Sequence, residues 1–269
     1  MASTSPLLRL PAELRNTIYE LTLTASRSLH HHKPDAAGKK PYFYLRDDKS
    51  PVDYNQLKYA NKQLYAETAG LELKFNDITF SEGSKDALPS DALIDWVSSV
   101  SITKRSWIKT ISIRPDSVDD LNLIGESPDA VARLTQLCNG IPNVKVKYYK
   151  PSWVYQSDFG IGFFFTLAQC FSYAFRGKIF KYLFNVAVDQ DMAIIYATRW
   201  RKGHHYKSPK VELVRLQAEN LKYFPIMPTD TPVPVIKADY TIARDDEVIP
   251  EAEQWIGNKY LREWMEHGI

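Results

Sequence analysis

The sequence predicts a mixed α+β fold, in which a helical opening is joined to an irregular body of helices and strands. Apolar residues recur at helical spacing near the start of the chain, and helix and strand patterns alternate through its middle. A further helical pattern closes the chain. With 269 residues, 44% of them hydrophobic and 13% aromatic, the chain can bury the core of one large domain or two modest ones.

The first predicted helix begins at Pro11. Proline at the first helical position loses no hydrogen bond, and Glu13 suits the positive end of the helix dipole. Leu14, Ile18 and Leu21 follow at spacings of four and three residues. We therefore expect these three side chains to form the covered face of the helix.

A second block, residues 57–80, predicts another helix followed by a strand. The helix has an apolar stripe at helical spacing, comprising Leu57, Ala60, Leu64, Thr68 and Leu71. Ile78 and Phe80 then alternate with polar neighbours, as in a short strand. The opening unit therefore covers residues 1–80.

A polar insertion near residues 25–56 interrupts this opening unit and contains a run of three histidines, His30, His31 and His32. Neighbouring imidazoles can capture a transition metal. In a polar stretch, however, a solvated loop is the simpler interpretation, and we expect no metal there.

The body, residues 81–269, is expected to continue from the opening as one domain. Ser90 suits the cap of a helix with Leu93, Trp96 and Val97 on its buried face, and residues 108–113 follow as a strand. A helix from Pro128 and a strand at residues 144–148 repeat this order after about 35 residues. The arrangement is similar to leucine-rich-repeat stacking but lacks that repeat's signature.

The remaining segments predict further strands and two helices. Strand-like patterns occur at residues 182–188, 192–198, 211–216 and 233–236. The uncharged run 159–175 is slightly short and too polar for a membrane span, so we interpret it as a buried helix; an exposed partner-binding face and membrane association are the alternatives. A last helix begins near Pro250 and repeats Ile256, Tyr260 and Trp264.

Three motifs occur in order along the opening. Residues 10–23 read Leu-Pro-x-Glu-Leu-Arg-x-x-Ile-Tyr-x-x-x-Leu, residues 62–68 contain Lys-Gln-Leu and Glu-Thr, and residues 75–80 read Phe-x-x-x-Thr-Phe. Together with the segments around Trp96 and Trp107, they resemble the fungal F-box-like, or two-EXR, domain family over roughly the first 115 residues.

The resemblance implies a non-enzymatic protein-interaction module that recruits substrates in ubiquitin ligation. Its partner would be an adaptor of the ubiquitin-ligase type, and the C-terminal body would present a recognition surface. The contact candidates are Leu10, Pro11, Leu14, Ile18 and Leu64. Internal packing of the opening helices explains the same residues, because each is apolar and periodic. Exposure separates the two interpretations: an open patch favours an interface, and a covered one favours a core.

A second hypothesis is nucleic-acid association through a basic, aromatic segment at residues 199–207, with its candidates being Arg199, Trp200, Arg201, Lys202 and Lys207. Another basic patch comprises Lys145, Lys147, Tyr148, Tyr149 and Lys150. Because a strand points alternate residues outward, Lys145 and Lys147 are most simply explained as the solvent face of a half-buried strand. A formal net charge of +2 argues against a dedicated nucleic-acid binder.

A third hypothesis is a metal-dependent transferase or nuclease centred on Asp189 and Asp191, because two carboxylates after a strand can hold a divalent cation. A turn between two strands is the simpler interpretation. The sequence has no phosphate-binding Gly-rich loop, no Gly-x-Ser-x-Gly and no His-Glu-x-x-His. We therefore expect no cofactor.

The two cysteines, Cys138 and Cys170, and the absence of an apolar leader predict a reducing compartment, cytoplasmic or nuclear, with no disulfide. The sequence leaves the oligomeric state open.

Overall fold

A computed structural model describes residues 5–33, 40–46, 52–81, 88–114, 126–154, 160–180, 190–203, 210–226 and 251–269. Side chains are described in these ranges except at 151–154, 160–163, 190 and 251–258. The described residues form an α+β fold around a six-stranded mixed sheet, which confirms the predicted fold class.

The strand order of the sheet is β2-β1-β3-β4-β5-β6. The strands are β1 (Leu29–His32), β2 (Tyr42–Tyr44), β3 (Ile78–Phe80), β4 (Thr110–Ile113), β5 (Lys145–Val154) and β6 (Leu221–Ile226). Strands β1 and β2 pair antiparallel, whereas β1, β3, β4, β5 and β6 pair parallel in that order. One sheet thus runs through both the opening and the body.

Nine helices are described along the chain. They are α1 (Ala12–Leu23), α2 (Lys62–Thr68), α3 (Glu72–Phe75), α4 (Pro89–Ser99), α5 (Ile102–Arg105), α6 (Pro128–Gly140), α7 (Gly160–Arg176), α8 (Gln190–Arg201) and α9 (Glu251–His267). Short 3₁₀ helices lie at Pro6–Arg9, Gln56–Tyr59 and Leu213–Leu216.

Helix α1 buries a different face from the one its periodicity predicts. Tyr19 and Leu23 are its buried residues, whereas Leu14 is 52% exposed and Leu21 is 76% exposed. The helix has two neighbouring stripes, one with Leu14 and Leu21 and one with Tyr19 and Leu23. The hydrogen bond from the Tyr19 hydroxyl to Glu67 turns the second stripe inward. The prediction that Leu14 and Leu21 are covered is therefore wrong.

The second block does not form one helix. The Asn61 side chain accepts a hydrogen bond from the Leu64 amide at 2.9 Å and starts α2. Gly70 then adopts a φ of 92°, a left-handed conformation that ends the helical run before α3. The predicted strand that follows is confirmed as β3.

The insertion contributes strands β1 and β2, so the histidines do not lie in a solvated loop. His31 is 5% exposed, and its ring stacks on Phe80 at a centroid distance of 4.7 Å. Phe43 and Trp96 also contact this ring edge-on. Because β1 pairs with β3 beside these aromatic side chains, His31 packs into the core.

The alternation of helices and strands predicted for the body is confirmed for α4 with β4 and for α6 with β5. Ile111 of β4 pairs with Val146 of β5 in parallel register. Helix α4 begins at Pro89, one residue before the predicted cap, and Ser90 Oγ instead donates to Glu126 Oε1 at 3.0 Å.

The main core lies between the sheet and helices α4, α6, α7, α8 and α9. The predicted buried helix of the uncharged run is confirmed as α7, and its Phe175 stacks on Tyr223 of β6 at 4.3 Å. Within the described ranges, no helix has the length and apolar character needed to span a bilayer.

Two predicted strands are wrong. Residues 192–198 belong to α8, which buries Ala193, Ala197 and Trp200 at helical spacing, and residues 213–216 form a 3₁₀ turn. Predicted strands 182–188 and 233–236 lie outside the described residues.

The final predicted helix is confirmed as α9. The residues that follow it return to the sheet, because Ile269 exchanges two backbone hydrogen bonds of 3.0 and 2.8 Å with Tyr223. The predicted repeat residue Ile256 lies where side chains are not described.

Candidate protein-interaction site

Helices α1 and α2 are joined by the side chains of Arg15, Tyr19 and Glu67. Arg15 donates from Nε to Glu67 Oε2 at 3.0 Å and from Nη2 to Glu67 Oε1 at 2.9 Å. The Tyr19 hydroxyl adds a hydrogen bond of 2.7 Å to Glu67 Oε2. This two-pronged arginine–carboxylate contact is directional, so it fixes the rotation of α1 about its own axis.

The contact stabilises the charged form of Glu67. Hydrogen bonds from Arg15, then from Tyr19 and Gln63, lower the pKa of Glu67 from 4.5 to about 2. Burial, followed by the hydrogen bond to Glu67, raises the pKa of the Tyr19 hydroxyl. At neutral pH the site is therefore an ion pair with a neutral phenol as its third member.

This orientation leaves apolar side chains on the solvent side of α1. We call Pro11, Leu14, Ile18 and Leu21 the outer α1 face. Pro11 is exposed, Leu14 and Leu21 are 52% and 76% exposed, and Ile18 is half-buried. Since residues one position apart on a helix point about 100° apart, the inward Arg15 and Tyr19 turn the preceding residues outward.

A small second core holds the other side of α1. Its buried members are Tyr19, Leu23 and Leu64, with Leu7, Leu8, Leu57, Leu71 and Phe75 packed around them. Leu64 is only 4% exposed, which corrects its prediction as a partner contact. Its position on the inner side of α2 explains the burial. Leu10 is half-buried, and its carbonyl oxygen accepts from Arg15 Nη1 at 2.7 Å.

Asn76 anchors the far end of α1. Its side-chain amide donates to the carbonyls of Leu23 at 2.6 Å and Glu72 at 2.9 Å, and its Oδ1 accepts from the Ala25 amide at 2.6 Å. Asn76 is 7% exposed, so these bonds are sheltered from water. The outer α1 face thus lies on a helix that Glu67 holds near its middle and Asn76 holds at its end.

The predicted set of contact residues did not include the side chains that position α1. Arg15, Tyr19 and Glu67 all lie inside the family-like motifs, but the apolar pattern drew attention to their neighbours. The available signal was a second stripe of residues spaced by four, comprising Arg15, Tyr19 and Leu23. Arg15 of this stripe is opposite in charge to Glu67 of the second motif.

The fold buries some residues of the candidate nucleic-acid segment and exposes others. Trp200 is 2% exposed, and its indole donates to the Glu126 carbonyl at 2.8 Å, so it does not offer a surface for base stacking. Arg199 and Lys202 are exposed, whereas Arg201 is half-buried and lies over the Tyr173 ring at 5.1 Å. Lys207 lies outside the described residues.

The second basic patch is also divided, because side chains alternate along β5. Lys145 is exposed, but Lys150 is fully buried, and its Nζ has no hydrogen-bond partner within the described structure. Tyr148 is buried beside it and donates from its hydroxyl to Glu126 Oε1. Lys150 and Tyr148 therefore do not belong to a solvent face.

The metal hypothesis gains no support from geometry. Asp189 lies outside the described residues, and Asp191 is exposed in the first turn of α8 rather than in a turn between strands. No group of three potential metal-ligating side chains assembles in the portion that the structure describes. Cys138 and Cys170 are free, as predicted, and burial raises the pKa of each thiol to about 12.

No protein-family model matches this chain, and neither a curated protein nor a solved structure matches it. The resemblance of the opening to the two-EXR family therefore stays a prediction from its three motifs.

Proposed function

We propose that the chain is a non-enzymatic protein-interaction module that docks a ubiquitin-ligase adaptor through the outer α1 face. The observation that carries this proposal is the exposure of Leu14 and Leu21 on a helix whose opposite side is fixed by Arg15 and Glu67. Exposed apolar side chains on a rigid support are typical of protein interfaces.

The partner is argued from the motifs of the opening and from the chemistry of the face. The outer α1 face is apolar, and Glu13 and Glu20 of the same helix are exposed. The partner surface should therefore be an apolar groove with a polar rim, which is the usual anatomy of a helix-in-groove interface. Leu14 and Leu21 are spaced by seven residues, as expected of anchors on one helix face.

Direct binding of the purified adaptor to the immobilised chain tests this function. Burying a leucine contributes about 1.5–3 kcal/mol, so the double variant Leu14→Ser/Leu21→Ser, which removes two leucines, should weaken binding by about 100-fold or more. The matched control is Ile102→Ser/Val214→Ser, which changes two side chains that are 83% and 73% exposed on other elements.

Equal loss of binding in both double variants would contradict docking through α1, and so would an adaptor that fails to bind the unaltered chain. Circular dichroism of each variant shows whether its helices remain intact.

A further inference from the structure

A groove of about 780 Å³ lies between the end of α7, β6 and α9. Its volume falls within the range of about 300–1,000 Å³ that is typical of small-molecule sites. None of the outer α1 face residues lines it. What the groove binds is therefore a separate question from adaptor docking.

The wall after α7 is fixed by buried polar side chains. Gln169, 1% exposed, donates to the Phe180 carbonyl and accepts from the Phe180 amide, each at 2.9 Å. Ser172 donates to the Lys178 carbonyl at 2.8 Å. These bonds hold Lys178 and Phe180 at the groove without help from a ligand, which lowers the entropic cost of binding.

Arg176 is fixed at the end of the groove near the sheet. Its guanidinium donates to the carbonyls of Ala218 at 3.3 Å and Leu221 at 2.5 Å. The carbonyl acceptors orient the guanidinium, which also lies 5.9 Å from the centre of the Tyr223 ring, and within the described residues it forms no ion pair. Lys222 of β6 lines the groove beside it.

The charges of the groove favour an anion at this end. Glu219 and Glu263 also line it, yet in the described part of the chain neither forms an ion pair with Arg176, Lys178 or Lys222. Burial, and then Arg176, lower the pKa of Lys222, and Lys145 adds to this effect while Glu219 opposes it. An anion between Arg176 and Lys222 would relieve their mutual repulsion.

The end beside α9 is aromatic. The Phe180 ring lies 5.3 Å from that of Trp264 and 5.9 Å from that of Tyr260. Gly268 closes the groove with a φ of 68°, and a Cβ there would lie 2.8 Å from the Tyr223 carbonyl oxygen. The groove therefore combines a cationic end with a flat apolar end.

We propose that this groove is a binding site for a small organic anion with an aromatic or similarly flat apolar body. The anionic group lies against Lys222 and Arg176, and the apolar body lies against Phe180 and Tyr260. Such a division of polar and apolar contacts fixes the orientation of a ligand.

Calorimetric titration with 2-naphthoate and with its neutral analogue 2-naphthamide tests the proposal, because the two share a ring system and differ in charge. We expect the unaltered chain to bind the anion at least about fivefold more tightly than the amide, as a single partly exposed ion pair provides. Lys222→Gln should reduce that preference, because it leaves only Arg176 against the anionic group. Lys210→Gln should keep it, since Lys210 is exposed and pairs with Glu212 outside the groove.

Three results would overturn the proposal: equal affinity for the two probes, an unchanged preference in Lys222→Gln, or no saturable binding of naphthoate up to about 5 mM. If Lys222→Gln fails to fold, Lys222→Arg supplies the test, because it keeps the charge and should keep the preference. A loss of preference in Lys222→Arg would also contradict the proposed role of charge.

Discussion

Arg15 and Glu67, 52 positions apart in the chain, form two charge-assisted hydrogen bonds that join α1 to α2. Each residue belongs to a different motif of the opening. Their pairing turns the apolar stripe of Leu14 and Leu21 outward, so an ion pair inside the opening determines which apolar side chains α1 presents to solvent.

Replacing Glu67 by Gln should lower the melting temperature and loosen α1, because Arg15 and Tyr19 lose their shared carboxylate. The folded-state pKa of about 2 lies below the usual 4.5, so Glu67 contributes stability above pH 4.5 that is lost as pH falls towards 2. Melting temperatures measured between pH 2 and pH 7 check this pH dependence of stability. Glu20→Gln, an exposed change on the same helix, should leave it intact.

His31 should make the fold sensitive to mild acid. Burial, with smaller effects of His32 and Lys33, lowers its pKa from 6.5 to about 4. The unfolded chain therefore binds the proton first, and stability falls as pH drops from 6.5 to about 4, by up to roughly 3 kcal/mol. Urea unfolding across this range measures the loss.

His31→Phe keeps an aromatic ring against Phe80 and should remove that pH dependence. His267→Gln changes an exposed histidine and should not. If the free energy of unfolding of His31→Phe still falls between pH 6.5 and pH 4, the acid sensitivity belongs to another group.

Lys150→Met should stabilise the fold by about 2 kcal/mol near neutral pH, because it removes a fully buried amine without a hydrogen-bond partner in the described structure. Burial lowers the pKa of Lys150 from 10.5, with Glu126 opposing. The unfolded chain thus holds this proton to higher pH, so the unaltered chain gains stability as pH rises towards 10.5 and the advantage of the variant shrinks.

Chemical denaturation from pH 6 to pH 9.5 measures this trend, with Lys147→Met on the other face of β5 as the matched control. Glu126 keeps its hydrogen bonds from Tyr148 and Ser90 in the variant. A destabilised Lys150→Met would contradict this account, in which the cost of burying the amine exceeds what Lys150 gains from the Tyr148 ring at 4.6 Å and from the charge of Glu126.

Gly268→Ala should destabilise the chain by about 1–3 kcal/mol, because it places a Cβ at positive φ against the Tyr223 carbonyl. Gly140→Ala is the opposite case: nothing lies within 4 Å of its Cβ and the residue is helical, so a gain of about 0.5–1 kcal/mol is expected. Melting curves of the two variants should shift in opposite directions, and equal shifts would contradict this account.

Periodicity alone located α1, α4, α6 and α7 and the strands β3, β4 and β5. Helices α4, α6 and α7 bury one face in the main core beside the sheet, whereas α1 buries its face in the small second core. Periodicity predicted a strand where α8 lies, because the mixed pattern of branched and small residues suits either a strand or a helix. In the structure the helix is held by the hydrogen bond from the Trp200 indole to the Glu126 carbonyl. Periodicity also chose the wrong face of α1. That choice depends on the distant Glu67, which no local pattern contains.

The candidate site was predictable only in part. The resemblance to the two-EXR family named Leu14, Ile18 and Leu64 as contact candidates, but the burial of Leu64 follows from packing in the small second core. The insertion was expected to be a loop because its composition is polar, and its pairing with β3 reflects a tertiary contact that overrides composition.

Hydrogen–deuterium exchange of the chain with and without the purified adaptor tests the central claim most directly. Docking on the outer α1 face should slow amide exchange in the peptide covering Ala12–Leu23, with peptides of β4 and β5 unchanged. Complex formation with protection confined to the body, and none in α1, would contradict the account.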